Sequence, residues 1–211
     1  MIEQVKRSLG RIRWYNKQRR LKDGETPTAK SPDGRMRLNL GCGDKILPEY
    51  VNIDIAPSRR GTCPDFLSDV RELKLPDQFA DEVLAVHVIE HFYFWEAEEV
   101  LREWVRVLKP GGELILELPN LESAARALIE NPSAAGSPGK EGQLSMWVFY
   151  GDPSWKDPLM CHRWGYTPDS MKALLTRIGL KEVRQERAVY KKREPRDMRI
   201  VGVKPATNLP N

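Results

Sequence analysis

From Met36 onward, short apolar segments alternate with longer ones at helical spacing. Arg37-Leu38-Asn39-Leu40 predicts a short strand that runs into Gly41-Cys42-Gly43, and residues 50–55 alternate apolar and polar positions as a second strand does. Residues 82–88 are nearly continuously apolar and predict a strand buried on both faces. Residues 96–108 predict a helix with Val100, Leu101, Trp104, Val105 and Leu108 on one face, stopped at Lys109-Pro110-Gly111-Gly112. Residues 114–118 read as another buried strand. A helix follows over 168–178, led by Thr167 and ended by Gly179, then two strands near 181–190 and 198–203. The polar stretch between those last two suits a loop joining antiparallel strands. Strands alternating with helices predict an α/β domain built on a mostly parallel sheet.

Three stretches lie outside that rhythm. Residues 1–22 space Ile2, Val5, Leu9 and Ile12 as an amphipathic helix would, with basic residues between them. Residues 23–35 are linker-like, and the domain proper is expected over 36–204, with a frayed tail at 205–211. Residues 121–165 form an expected insertion on the substrate side; within it, 131–143 have loop composition and the following stretch is rich in aromatic residues, Pro and His.

Of the 211 residues, 40% are hydrophobic and 30% charged, which allows a core and excludes wholesale disorder. Charge is unevenly placed: residues 1–22 sum to +7 and the remainder to −3. A basic arm on a near-neutral body argues against a whole-surface nucleic-acid binder and for an arm that meets something acidic, such as an anionic membrane face. No apolar run has the length of a membrane span, and the basic start lacks the apolar core of a secretory signal. Three scattered cysteines exclude a disulfide framework. A cytoplasmic protein is expected, peripheral on the inner membrane face if the arm binds there.

Gly41-x-Gly43 directly after the first strand lets the backbone turn sharply where ligands bind in open parallel sheets. The third glycine of a dinucleotide fingerprint is missing, since Ile46 occupies its place, and no Walker loop is present. Asp54 ends the second strand, where a carboxylate can accept from ribose hydroxyls. Asp69 in Ser68-Asp69-Val70 could accept from an exocyclic adenine amine while the Val70 amide meets a ring nitrogen. His87-Val88-Ile89-Glu90-His91 spells H-x-x-E-H, an inverted zincin pattern, but its first His ends a buried strand rather than sharing a helix face, so no metal site is expected. Cys161-His162 is too sparse for one.

LNLGCG (38–43), VNIDI (51–55), SDVRELKLPDQFADEV (68–83), HVIEH (87–91) and VLREWVRVLKPGGELILELPN (100–120) together resemble the class I S-adenosylmethionine-dependent methyltransferases. Within that family the chain is similar to small enzymes found with bacterial surface-polysaccharide genes. The resemblance implies a Rossmann-like seven-stranded, mostly parallel sheet of order 3-2-1-4-5-7-6, strand 7 antiparallel, with helices on both faces. It implies S-adenosylmethionine as cofactor and S-adenosylhomocysteine as product. Leu40, Gly41, Cys42 and Gly43 would meet the methionyl part, Asp54 and Ile55 the ribose, Asp69 and Val70 the adenine, and His87 the region near the sulfonium. Gly43 and Asp54 are only 11 residues apart, with Pro48 between them, so the first crossover helix must shrink to about a turn.

Candidates for a proton-accepting group are His87, His91, Tyr150, Asp152, His162 and Tyr166. The motifs of exocyclic-amine and base-carbon methylation are absent after strand four, which disfavours nucleic acid as substrate. Trp147, Phe149, Tyr150, Trp155, Trp164 and Tyr166 of the insertion, mixed with polar residues, suit a saccharide or other small acceptor methylated at oxygen. A non-catalytic cofactor- or partner-binding module on the same fold is the alternative reading, and a nucleic-acid methyltransferase using the basic arm is a further one.

Overall fold

The structure is a computed structural model that describes residues 20–22, 26–57, 61–191 and 195–206. The amphipathic stripe from Ile2 to Ile12 in the expected arm, with the rest of residues 1–19, and most of the expected tail therefore lie outside the described residues. Seven strands form one sheet: β1 (Arg37–Leu40), β2 (Val51–Asp54), β3 (Phe66–Leu67), β4 (Ala80–Val86), β5 (Leu108–Pro119), β6 (Lys181–Glu186) and β7 (Asp197–Val203). Their order is β3-β2-β1-β4-β5-β7-β6, and β7 runs antiparallel to both neighbours. The helices are α1 (Phe94–Val107), α2 (Leu121–Glu130), α3 (Pro132–Ala135), α4 (Met146–Tyr150) and α5 (Pro168–Arg177). Among the described residues no helix is long and apolar enough to cross a membrane.

Strand alternation decides what each face of the sheet does. Leu38, Leu40, Val51, Ile53, Val83, Leu114, Leu116, Leu118 and Ile200 point to one face, where Val100, Leu101 and Trp104 of α1 and Met171, Leu174 and Leu175 of α5 close a single core. Each such side chain, fully buried, contributes about 1.5–3 kcal/mol. The opposite face has a smaller cluster, Leu84, Ile115 and Val201, covered by Leu47, Tyr50 and Tyr190 rather than by a helix. Of the described helices, α1 and α5 pack into the core of the first face, and the connections on the second are short. Residues 41–50 and 55–65 are all that join β1 to β2 and β2 to β3, each connection shorter than the dozen or more residues that a parallel crossover with its own helix usually takes. Even the single turn of helix expected after Gly43 is replaced by turns.

Polar side chains hold that loop-covered face. Asn39 Nδ2 donates to Asn52 Oδ1 and to the Lys45 carbonyl, while Asn52 Oδ1 also accepts from Leu47 N. Glu117, 1% exposed near the end of β5, accepts from the backbone N–H groups of Val189, Tyr190 and Lys191 and from Arg199 at 2.6–3.0 Å. One carboxylate therefore pins the segment that carries Tyr190. Glu117→Gln keeps the shape but puts an amide donor against N–H groups, and it is expected to destabilise the fold by about 3 kcal/mol or more. A urea unfolding midpoint equal to wild type would refute this.

Other boundaries moved for local reasons. The chain leaves α1 at Val107, and Lys109–Gly112 join β5 instead of a stopping loop, because Gly111 and Gly112 pair with the backbone of Lys204. The Lys204 ammonium then donates to the Val105, Arg106 and Leu108 carbonyls at the end of α1. Residues 26–35, expected as linker, lie on the body: Pro27 and Ser31 are buried, Ala29 packs on the core and Lys30 pairs with Asp65. Just before them, Leu21 N donates to the Leu67 carbonyl, so residues 20–22 run alongside β3.

Candidate active site

β1 delivers its glycine turn against the far end of β4. Gly41 has φ +62°, and a Cβ there would stand 2.6 Å from Val88 Cγ2, so both conformation and contact demand glycine. Gly43 N donates to Asp54 Oδ2 at 2.8 Å, and Ala56 N reaches Oδ1 at 3.2 Å. The end of β2 is thereby tied to the glycine turn. Burial raises the Asp54 carboxyl above its ordinary value, opposed by the N–H groups of Gly43, Ala56 and Ile55. Oδ1 receives only the long bond and keeps capacity to accept from a hydroxyl. Leu40 and Cys42 are buried beside the turn, and Ile55 is half exposed. Burial, then Asp54 and Asp65, pushes the Cys42 thiol well up, so it is no nucleophile.

Asp69 stands differently from expectation. Arg71 takes both its oxygens, at 2.7–3.1 Å, and its own backbone N adds a third donor. Those hydrogen bonds hold the Asp69 carboxyl below its ordinary value. Val70 is buried, and its carbonyl accepts from the Trp104 indole at 2.8 Å. An adenine contact by the Asp69 carboxylate requires Arg71 to release it.

At the end of β4 the chain turns abruptly. His87 adopts φ +56°, a left-handed conformation costly for a residue with a Cβ, while its N–H donates to the Glu117 carbonyl. The imidazole lies between two buried carboxylates, Nδ1 3.2 Å from Glu90 and Nε2 3.1 Å from Asp197. Residues 89–91 form a single 3-10 turn, so the H-x-x-E-H residues share no helix face. Instead the insertion completes the group. Its returning segment is stitched across the strand ends: Arg163 N and Trp164 N donate to the Glu90 carbonyl, and Leu121 N donates to the Tyr166 carbonyl. His162 is thereby set 3.9 Å from Glu90 and edge-on to His91, with ring centroids 5.1 Å apart. Burial lowers the His162 pKa despite Glu90, and burial with Glu90 pushes the Tyr166 phenol up. His87, His91, His162 and Tyr166 are therefore gathered around Glu90.

Tyr150 and Asp152 are not. Tyr150 is 66% exposed, and Asp152 caps the next turn by accepting from Ser154 N. Three features escaped the pattern reading. Asp197 opens β7, and Glu90 stood only inside a rejected motif; an acid in the otherwise apolar Val88-Ile89 stretch just past β4 was the available signal. The third is an exposed aromatic shelf just beyond Glu90: Tyr93 stacks on Trp95 at 4.6 Å, Phe94 meets Trp164 at 5.0 Å, and Arg163 lies over Tyr93.

Comparison with known proteins finds the following similarities. Residues 38–116 match a family model described as a methyltransferase domain. A probable S-adenosylmethionine-dependent methyltransferase of Mycolicibacterium smegmatis is 32% identical over 103 residues, 41% of this chain and 39% of that protein. The chain thus spans about two fifths of the length of that curated relative. Among solved structures, a SAM-dependent methyltransferase from Archaeoglobus fulgidus is similar in fold, with a TM-score of 0.56 at 20% identity over 81% of this chain and 86% of the other. A SAM-dependent methyltransferase from Thermotoga maritima, described as a possible histamine N-methyltransferase, gives 0.54 at 20% identity over 81% and 82%.

Proposed function

We propose that this chain is a class I S-adenosylmethionine-dependent methyltransferase, as its match to a methyltransferase domain model and its likeness to the mycobacterial relative support, and that it methylates a hydroxyl oxygen of a small acceptor with flat, polar-edged faces, a saccharide or glycolipid precursor. The supporting observation is the His87–Asp197 pair at the end of β4, beside the glycine turn that Val88 touches and next to the aromatic shelf. S-adenosylmethionine, when bound, supplies a methyl already activated on a sulfonium, and S-adenosylhomocysteine leaves as product. The cradle fits it: a glycine turn open above Gly43, where a Cβ would meet nothing within 4 Å, and a buried carboxylate with acceptor capacity on the next strand.

The chain's residues divide the work. Leu40, Gly41, Cys42 and Gly43 receive the methionyl part along the backbone; Asp54, with Ile55 beside it, accepts from the ribose hydroxyls. Val70, with Asp69 once Arg71 yields, receives the adenine. The aromatic shelf holds the acceptor by its faces, aligning its oxygen with the methyl, at roughly 3–3.5 Å for in-line attack. His87 takes the hydroxyl proton on Nδ1 once that nitrogen turns from Glu90, with Nε2 left 3.1 Å from Asp197. The +7 arm of residues 1–22 supports peripheral contact with an anionic membrane surface, which would bring a lipid-linked acceptor to the shelf.

Incubation with methyl-labelled cofactor and a panel of mono- and oligosaccharides tests the reading. Label on an acceptor oxygen, lost on His87→Gln with cofactor affinity intact, is expected. Cofactor binding without transfer to any hydroxyl would sink it and leave the non-catalytic module; transfer to RNA or DNA would point to the basic arm as a nucleic-acid grip.

A further inference from the structure

We propose that Glu90, His91 and His162 form a binding site for one divalent transition-metal ion of the nitrogen-preferring class, zinc being the representative. Their ligand atoms all lie within 4.8 Å of one another. Glu90 is 2% exposed, yet neither of its carboxylate oxygens has a hydrogen-bond partner. A buried carboxylate left in that state is costly unless a cation or a donor answers it. The neighbouring His87 Nδ1, at 3.2 Å, lacks hydrogen-bond geometry toward it.

The histidines are turned for ligation. His91 Nδ1 lies 3.1 Å from the Cys161 carbonyl and His162 Nδ1 lies 2.8 Å from the Val148 carbonyl. Facing carbonyls, both nitrogens must be the N–H donors, which leaves each Nε2 as a lone pair. This is the outer support that metal-binding histidines characteristically have. Two imidazoles and a carboxylate with an open fourth position is the donor set of several zinc enzymes, and imidazole selects such ions over magnesium or calcium. Ligands at about 2.1 Å from an ion stand some 3.4 Å apart, so the side-chain ends need to close by up to about 1.4 Å from their 4.8 Å limit. The set differs from the H-x-x-E-H spacing: its third ligand is not His87 but a histidine 71 residues after His91.

Ion binding stands on this geometry alone. What the ion would do, presenting its open position to the acceptor hydroxyl and easing loss of its proton, rests on the proposed methyl transfer. Untagged, chelator-treated protein would be titrated with Zn²⁺ by calorimetry, alongside a Cys63→Ser/Cys161→Ser form that removes the exposed thiols. One equivalent bound in both is expected, with affinity at least tenfold weaker in Glu90→Gln and in His162→Asn. S-adenosylmethionine titration of the same samples reads the cofactor site separately, so a failed metal site and a failed cofactor reading are distinguishable. Should either variant lose its fold, His91→Asn, at a less buried position, replaces it. Folded wild-type protein that binds no Zn²⁺, variants that bind as tightly as wild type, or displacement of Zn²⁺ by equimolar Mg²⁺ would each overturn the site.

Discussion

Asp54→Ala is expected to weaken S-adenosylmethionine binding by roughly two to four decades while leaving the sheet intact. A carboxylate accepting from two ribose hydroxyls makes charge-assisted hydrogen bonds worth about 1.5–3 kcal/mol each, and each 1.4 kcal/mol or so is tenfold in affinity. The substitution also frees Gly43 N and Ala56 N, which Asp54 now holds, so the glycine turn loses its tether at the same time. Calorimetric titration reads the effect, and unchanged affinity would move the ribose elsewhere. The same residue sets a pH dependence. Burial raises its pKa, so the folded chain takes up this proton more readily than the unfolded one. Asp54's own contribution to fold stability is therefore unfavourable at neutral pH and improves as pH falls through the raised value. Cofactor binding needs the anion and runs the opposite way, weakening over that interval, above the range of an ordinary aspartate near pH 4.

Periodicity was a good guide wherever burial is one-sided or complete. β1, β2, β4, α1 and α5 are each long enough for alternation or helical spacing to register, and Thr167 caps α5 as its sequence implies, accepting from Ser170 N. β3 is two residues long, below what any pattern can carry, and it exists because the edge of β2 offers it partners. The cofactor-side residues were legible because glycine and aspartate at strand ends have local reasons to be there. The cluster around Glu90 was not. It is assembled by the insertion, whose aromatic, Pro-rich stretch has no periodicity to read yet forms α4 and two 3-10 turns and returns His162 to Glu90. Side chains that meet only through such a return leave no spacing in the sequence.

Trp104→Ala is expected to remove a large part of the fold's stability, about 3–5 kcal/mol from the lost volume alone, against a typical total of about 5–15 kcal/mol. Trp104 is fully buried in the last turn of α1, and its indole N–H is the donor to the Val70 carbonyl. Its neighbours act in the same direction: Glu103 accepts from Leu73 N, and Arg106 donates to the Leu73 and Leu75 carbonyls. α1 therefore grips residues 70–75 by backbone atoms, and those residues follow directly on the Asp69–Val70 corner. Trp104→Phe separates packing from grip. It keeps most of the apolar volume and leaves one carbonyl unpaired, for an expected loss of about 1–3 kcal/mol, with a cofactor affinity several-fold weaker because Val70 is no longer fixed. Thermal melts and cofactor titration on the same samples decide the matter. A Phe variant that is destabilised but binds cofactor as wild type does would make Trp104 a core residue and nothing more, and would place the adenine away from the segment that α1 holds.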